Sequence, residues 1–155
     1  MNVYILRHGE VSHEALTDRE RPLSDDGKKA IDRTAKYFTD AKIQLTKIIT
    51  SPLLRAWQTA QIIGDNLKIS DHIQESDFLL SESNPADIIR ELKNFRDDEK
   101  VLLVGHQPFL SLLTAILIGN TAEKIGMRTS SLACVEIQQP IVEGKGALKD
   151  LINFQ

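Results

Sequence analysis

The sequence predicts an α/β fold, a three-layer sandwich in which a mostly parallel central sheet carries helices on both faces. Three observations predict it. Short runs that are apolar at every position, residues 3–6 and 101–104, have the pattern of strands buried on both faces. Longer amphipathic stretches alternate with such runs, the strand–helix rhythm of parallel sheets. A length of 155 residues, 41% hydrophobic and 26% charged, suits one domain over residues 1–155, and no linker or internal repeat divides it.

The first strand, residues 3–6, stops abruptly at Arg7-His8. Leu23-Ser24-Asp25-Asp26-Gly27 starts a helix, with Ser24 as N-cap and two acids placed to complement the helix dipole. That helix runs to about Thr39 and lines Ile31, Ala35 and Phe38 along one face. Residues 47–50 form a second strand. Ser51-Pro52 opens a second helix with proline in its first turn, an inward stripe of Leu53, Ala56, Ala60 and Ile63, and Gly64 near its end. Residues 68–73 suggest an extended piece, and residues 85–95 a helix carrying Ile88, Ile89 and Leu92. After the strand at 101–104, Gly105-His106-Gln107-Pro108 turns the chain into an apolar helix that ends near Gly119. Residues 132–137 and 147–154 read as two late strands.

Composition narrows the function. With 19 basic and 22 acidic residues the net charge is −3, so no global field draws in nucleic acid or anionic lipid, and any affinity for an anion must be local. The single cysteine, Cys134, cannot form an internal disulfide or a cysteine-based zinc cluster, and it reads as core within an apolar strand. Residues 1–8 lack the basic lead and long apolar stretch of a secretory signal, and the apolar run at 109–118 is too short to span a bilayer. A cytoplasmic, monomeric protein without membrane or nucleic-acid partners is therefore expected. His13 and His72 read as surface residues with no metal-ligand spacing. Trp57, Phe78 and Phe109 read as packing, and no cofactor motif is present.

Ligands of open parallel sheets sit outside the carboxyl ends of the strands. Three such junctions carry cations or imidazoles: Arg7-His8 after the first strand, Arg55 after the second, and Gly105-His106 after the strand at 101–104. Converged, they place two guanidinium groups and two imidazoles around one point, an anion site whose natural guest is a phosphoryl group. A neutral imidazole can attack phosphorus without charge repulsion, and the phosphoimidazole it forms is labile enough for water to cleave.

Leu6-Arg7-His8-Gly9-Glu10 resembles the RHG signature of the histidine phosphatase superfamily, which includes the phosphoglycerate mutases. Three more segments match in the same order: Leu23-Ser24-Asp25-Asp26-Gly27, the ten residues from Ser51 to Ala60, and Val104-Gly105-His106-Gln107-Pro108. The resemblance implies a phosphoglycerate mutase-like fold, His8 as nucleophile, and Arg7, Arg55 and His106 as the rest of a phosphate pocket, with no metal and no cofactor. It also implies that His8 donates one ring N–H to a backbone carbonyl and keeps the attacking nitrogen unprotonated.

Within the superfamily the chain is most similar to the SixA-type phosphohistidine phosphatases. Its marks are a short length, Glu20-Arg21-Pro22-Leu23 ahead of the first helix, and little sequence between Arg55 and His106. Arg21 is expected at the rim, within reach of a phosphate or an acidic partner. Val11 and Glu14 stand where many members have threonine and asparagine. The general acid of the mutase-like branch falls among Glu75, Asp77 and Glu82, with Asp77 favoured by its position after the third strand. An imidazole leaving group needs little protonic help, so a dedicated acid can also be absent. The implied substrate is a histidine-phosphorylated protein, a phosphotransfer domain or phosphocarrier. The alternatives are a phosphomonoesterase for a sugar phosphate or phosphoglycerate, and a module that binds a phosphoprotein without cleaving it.

Overall fold

Six strands form one sheet in the computed structural model, which describes residues 1–15 and 17–155. In chain order they are β1 (Asn2–Arg7), β2 (Lys47–Thr50), β3 (Ile73–Glu75), β4 (Lys100–Gly105), β5 (Ser131–Glu136) and β6 (Ala147–Asn153). Their spatial order is β3-β2-β4-β1-β5-β6. The ladders joining β3, β2, β4 and β1 are parallel, whereas β5 and β6 extend the β1 side as antiparallel strands. Among the described residues four α-helices complete the three layers: α1 (Asp25–Asp40), α2 (Leu54–Leu67), α3 (Pro85–Leu92) and α4 (Phe109–Ile118).

The all-apolar strands work because their two faces meet two different cores. Successive side chains of a strand point to opposite faces. Val3, Ile5, Val101 and Leu103 pack with Ile88, Leu92, Phe109 and Leu113 of α3 and α4. Tyr4, Leu6, Leu102 and Val104 pack on the other face with Ile31, Phe38, Ala60 and Ile63 of α1 and α2. α1 starts as expected, with the Ser24 hydroxyl accepting from the Gly27 N–H at 3.0 Å, a cap worth about 1 kcal/mol. α4 ends at Ile118 with Gly119 left-handed at φ 74°. Among the described residues no helix is long and apolar enough to cross a membrane.

Five local expectations need correction. Pro52 lies outside α2, whose N-cap is Leu53, because Ser51 and Pro52 continue from β2 to place the Ser51 hydroxyl against His106. α2 also runs past Gly64 to a left-handed Lys68 at φ 60°; at Gly64 a Cβ would lie 2.8 Å from Ile73, so the glycine serves close packing rather than a helix end. Residues 68–73 are not extended: Ser70–His72 form a one-turn 3-10 helix, and the third strand begins only at Ile73. α3 stops at Leu92 and not near Phe95, its buried stripe being complete by then. Phe78 is exposed rather than packed, whereas Cys134 is buried as expected.

Gly27 fastens the first turn of α1 to the segment after β1. A Cβ there would stand 2.2 Å from the Glu10 carbonyl oxygen, which is backbone and cannot swing aside. Gly27→Ala is expected to lower stability by about 1–3 kcal/mol, read as a fall in the urea midpoint with unchanged slope.

Candidate active site

β1 and β4 are adjacent and parallel, with Arg7 opposite Gly105, so the residues that follow each strand emerge side by side. The His8 N–H donates to the Gly105 carbonyl at 3.2 Å, and the ring centroids of His8 and His106 are 5.1 Å apart. β2 flanks β4 on its other side, and the Ser51 N–H donates to the Val104 carbonyl at 3.0 Å. Three junctions far apart in the chain thus meet at one end of the sheet.

The His8 ring is oriented by its own neighbour. Nδ1 lies 2.7 Å from the Gly9 carbonyl oxygen, which can only accept, so Nδ1 carries the proton and Nε2 is left with a free lone pair. The ring is 6% exposed, and its pKa is pushed down from 6.5 to about 3. Burial is the largest cause; the Gly9 hydrogen bond opposes it, and the nearby His106, Arg55 and Arg7 add to the depression. His106, 4% exposed, is pushed down to about 4, first by burial and next by Arg55. Both imidazoles are therefore neutral near pH 7.

The second imidazole is held by a hydroxyl rather than a carbonyl. His106 Nε2 lies 2.6 Å from the Ser51 hydroxyl, and that hydroxyl accepts from the Leu53 N–H at 3.3 Å. With the Ser51 O–H directed at Nε2, the proton of His106 rests on Nδ1. Buried side-chain nitrogens and oxygens without a partner among the described residues include Arg7 Nε, His106 Nδ1 and Ser130 Oγ. All three belong to this end of the sheet, since the Ser130 N–H donates to the His8 carbonyl at 3.1 Å. Buried donors without acceptors are costly, and an oxyanion supplies acceptors.

Arg7 is anchored by donating from Nη1 to the Met127 carbonyl at 3.1 Å. Burial, and then the like charge of Arg55, lower its pKa. Arg55, in the first turn of α2, donates from Nη1 to the Asp18 carbonyl at 2.9 Å and from Nη2 to the Asp18 carboxylate at 3.3 Å. α2 also holds the signature loop: the Gly9 N–H donates to Thr59 Oγ1 at 3.2 Å, and the Leu23 N–H to Gln58 Oε1 at 2.8 Å. Glu10 contributes its backbone carbonyl, which accepts from the Ser24 N–H at 2.9 Å.

Arg7, His8, Arg55 and His106 come together, and other expected residues stand further out. Arg21 is at the rim, its Nη1 3.7 Å from the Asp18 carboxylate. Asp77 is exposed on a one-turn 3-10 helix, where its backbone carbonyl rather than its carboxyl accepts from Ser83 Oγ at 2.7 Å. The carboxylates whose charge reaches His106 are instead Asp18 and Glu82. Glu82 is exposed, and its pKa is held below the usual value chiefly by the Ser81 hydroxyl. Glu14, His13 and His72 are exposed. Sequence reasoning missed Asp18, Ser51 as partner of His106, and Ser130. Asp18 and Ser51 carried a signal: Ser51 is the first residue of a matched segment, and Asp18 stands two residues before Glu20-Arg21-Pro22-Leu23. A cavity of about 670 Å³ lies elsewhere, between the carboxyl ends of α1 and α2 at the opposite end of the sheet.

With this geometry in place, comparison with known proteins assigns the family. The profile of the histidine phosphatase superfamily (branch 1) matches residues 3–87, and the chain belongs to that superfamily. It is similar to the phosphohistidine phosphatase SixA of Escherichia coli (strain K12), with 26% identity over 141 residues, 90% of this chain and 87% of that protein. An uncharacterised protein of Picosynechococcus sp. is 30% identical over 137 residues, 85% of this chain and 82% of that one. Among solved structures, the protein histidine phosphatase SixA complexed with tungstate superposes with a TM-score of 0.90 at 26% identity, covering 99% of this chain and 97% of the other. The chain is a phosphatase-type hydrolase of the SixA kind.

The depressed pKa of His8 has a direct readout. Its ring resonances should keep neutral-form chemical shifts from about pH 8 to about pH 5, where an ordinary histidine would titrate near 6.5. The unfolded chain binds these protons more readily than the folded one. The linked stability is thus complete above about 6.5 and is lost as the pH falls toward the folded values of about 3 and 4. A His8 titration near 6.5 would contradict the geometry.

Proposed function

We propose that residues 1–155 act as one phosphohistidine phosphatase domain that hydrolyses the N–P bond of a histidine-phosphorylated protein through a phospho-His8 intermediate. The observation that carries this reading is the His8 ring: neutral, held by Gly9 through Nδ1, with Nε2 unprotonated beside two guanidinium groups.

In the first step the Nε2 lone pair forms a bond to phosphorus while the bond from phosphorus to the substrate imidazole breaks. The departing electron pair stays on that imidazole nitrogen, which takes a proton from solvent water. His8, still protonated at Nδ1, becomes a phosphorylated imidazolium whose N–H is stabilised by the Gly9 carbonyl. Water then attacks phosphorus, His8 Nε2 leaves with its electron pair, and inorganic phosphate is released. Arg7, Arg55 and the His106 Nδ1–H supply positive charge and donors to the equatorial oxygens, so the chemistry asks for no metal ion.

The choice of a protein substrate rests on what stands around the pocket. Between α2 and β4 the chain forms two one-turn helices, the three residues of β3, and α3. Ile88, Ile89 and Leu92 dock α3 on the sheet face, so α3 does not stand over the strand ends as a cover. A site without such a cover excludes water poorly but admits an imidazole projecting from a folded protein, such as a phosphotransfer domain or phosphocarrier. An imidazole is also the leaving group that least needs the general acid, and the candidate acids Asp77 and Glu82 are both exposed.

His8→Ala is expected to reduce turnover of a phosphohistidine protein by about a thousandfold or more while the cooperative unfolding transition persists. Rapid mixing with radiolabelled substrate should trap phosphate on wild type and not on the variant. Rates for the phosphohistidine protein and for a panel of phosphate monoesters, measured side by side, decide the substrate class. A clear preference for monoesters would move the assignment to a small-molecule phosphatase.

A further inference from the structure

Asp18 lies between the signature and α1, on a one-turn 3-10 helix (Asp18–Glu20). Its carboxylate stands between two guanidinium groups, with Oδ2 3.3 Å from Arg55 Nη2 and Oδ1 3.7 Å from Arg21 Nη1. Arg55 meets Asp18 in two different ways. The backbone carbonyl of Asp18 accepts from Nη1 at 2.9 Å and fixes the guanidinium against the loop. The carboxylate contact is looser: it is longer than the roughly 2.7–2.9 Å of a tight charge-assisted bond, and the Asp18 side chain is 65% exposed against 13% for Arg55. Removing the carboxylate therefore leaves Arg55 anchored, while removing a negative charge from the mouth of a site built for anions.

We propose that Asp18 is an internal competitor at the phosphate pocket: its carboxylate occupies an N–H of Arg55 that an arriving phosphoryl group takes, so an oxyanion gains that donor only by displacing it. This deepens the reading above and rests on Arg55 belonging to the oxyanion pocket. Asp18 acts through Arg55 and is a positioning residue rather than a catalytic one. Its effect falls hardest on small oxyanions that have no other contact with the protein. Inorganic phosphate, the product of the reaction, is one of them. A phosphorylated protein has further surface with which to offset the displacement, so the competitor keeps the resting pocket clear of free phosphate and favours the macromolecular substrate.

Calorimetric titration of inorganic phosphate and of tungstate into the full chain, at fixed ionic strength and pH 7, tests this. Asp18→Asn is expected to bind phosphate about three- to fivefold more tightly than wild type, the range of a partly exposed ion pair. Asp18→Glu, which keeps the charge, should restore the wild-type affinity. Glu20→Gln removes a charge from the same helix without touching the Arg55 contact and should shift affinity by less than about 1.5-fold, which separates displacement from through-space charge. In competition kinetics the inhibition constant of phosphate for Asp18→Asn should fall in the same proportion. Asp18→Ser serves as a second variant if the asparagine chain does not fold. Unchanged or weaker phosphate binding in Asp18→Asn, or an equal gain in Glu20→Gln, overturns the competitor role while the pocket itself stands. Failure of wild type to bind either oxyanion removes both the competitor and the pocket. Oxyanion binding that behaves as expected in a chain inactive on phosphohistidine leaves the competitor intact and removes only the substrate assignment.

Discussion

In the parallel ladder between β1 and β4, Arg7 stands opposite Gly105, and the N–H of His8 donates to the Gly105 carbonyl. Nearly a hundred residues separate the two strands in the chain, yet the ladder fixes the residues after them to within one strand spacing of each other. The two imidazoles become neighbours because of it, and Ser51 joins them because β2 pairs with the far side of β4. The constraint holds because both strands are buried on both faces. A one-residue slip would turn every side chain of β1 to the opposite core, moving Tyr4 and Leu6 from the layer of α1 and α2 to that of α3 and α4.

On that frame the site holds its charge in an unusual balance. Two guanidinium groups remain charged, while burial keeps both imidazoles neutral. Buried nitrogens of Arg7 and His106 have no hydrogen-bond partner among the described residues. Donors fixed in advance around one point need little reorganisation when charge arrives, the arrangement that stabilises a phosphoryl group in flight. The only counter-charge bonded directly to this group, among the described residues, comes from Asp18. It sits on the Arg55 side and at the surface rather than between the imidazoles.

Most of the architecture was legible in the sequence because the periodicity of buried strands and the caps of helices are local properties. The apolar runs became β1 and β4, Ser24 capped α1, and Gly119 ended α4. The misreadings arose where tertiary contacts overrode local signals. Pro52 commonly marks a first helical turn, but here the chain bends at Pro52 and Leu53 before α2 starts, and Ser51 contacts His106. Gly64 commonly marks a helix end, but its missing Cβ lets Ile73 pack closely while α2 continues. Asp77, after the third strand, is exposed on a one-turn helix, and the carboxylates whose charge reaches His106 are Asp18 and Glu82.

The sequence by itself determined which residue types could handle a phosphoryl group, and that they stand at strand-to-helix junctions. Residue chemistry and local periodicity are both carried by neighbouring positions, so they can be read in order along the chain. Only the tertiary structure decided that these junctions share one end of one sheet, that His8 keeps its proton on Nδ1, and that Asp18 grips Arg55. Strand order, burial and contacts across tens of residues decide those matters. They depend on which surfaces exclude water together, and no short stretch of sequence contains that information.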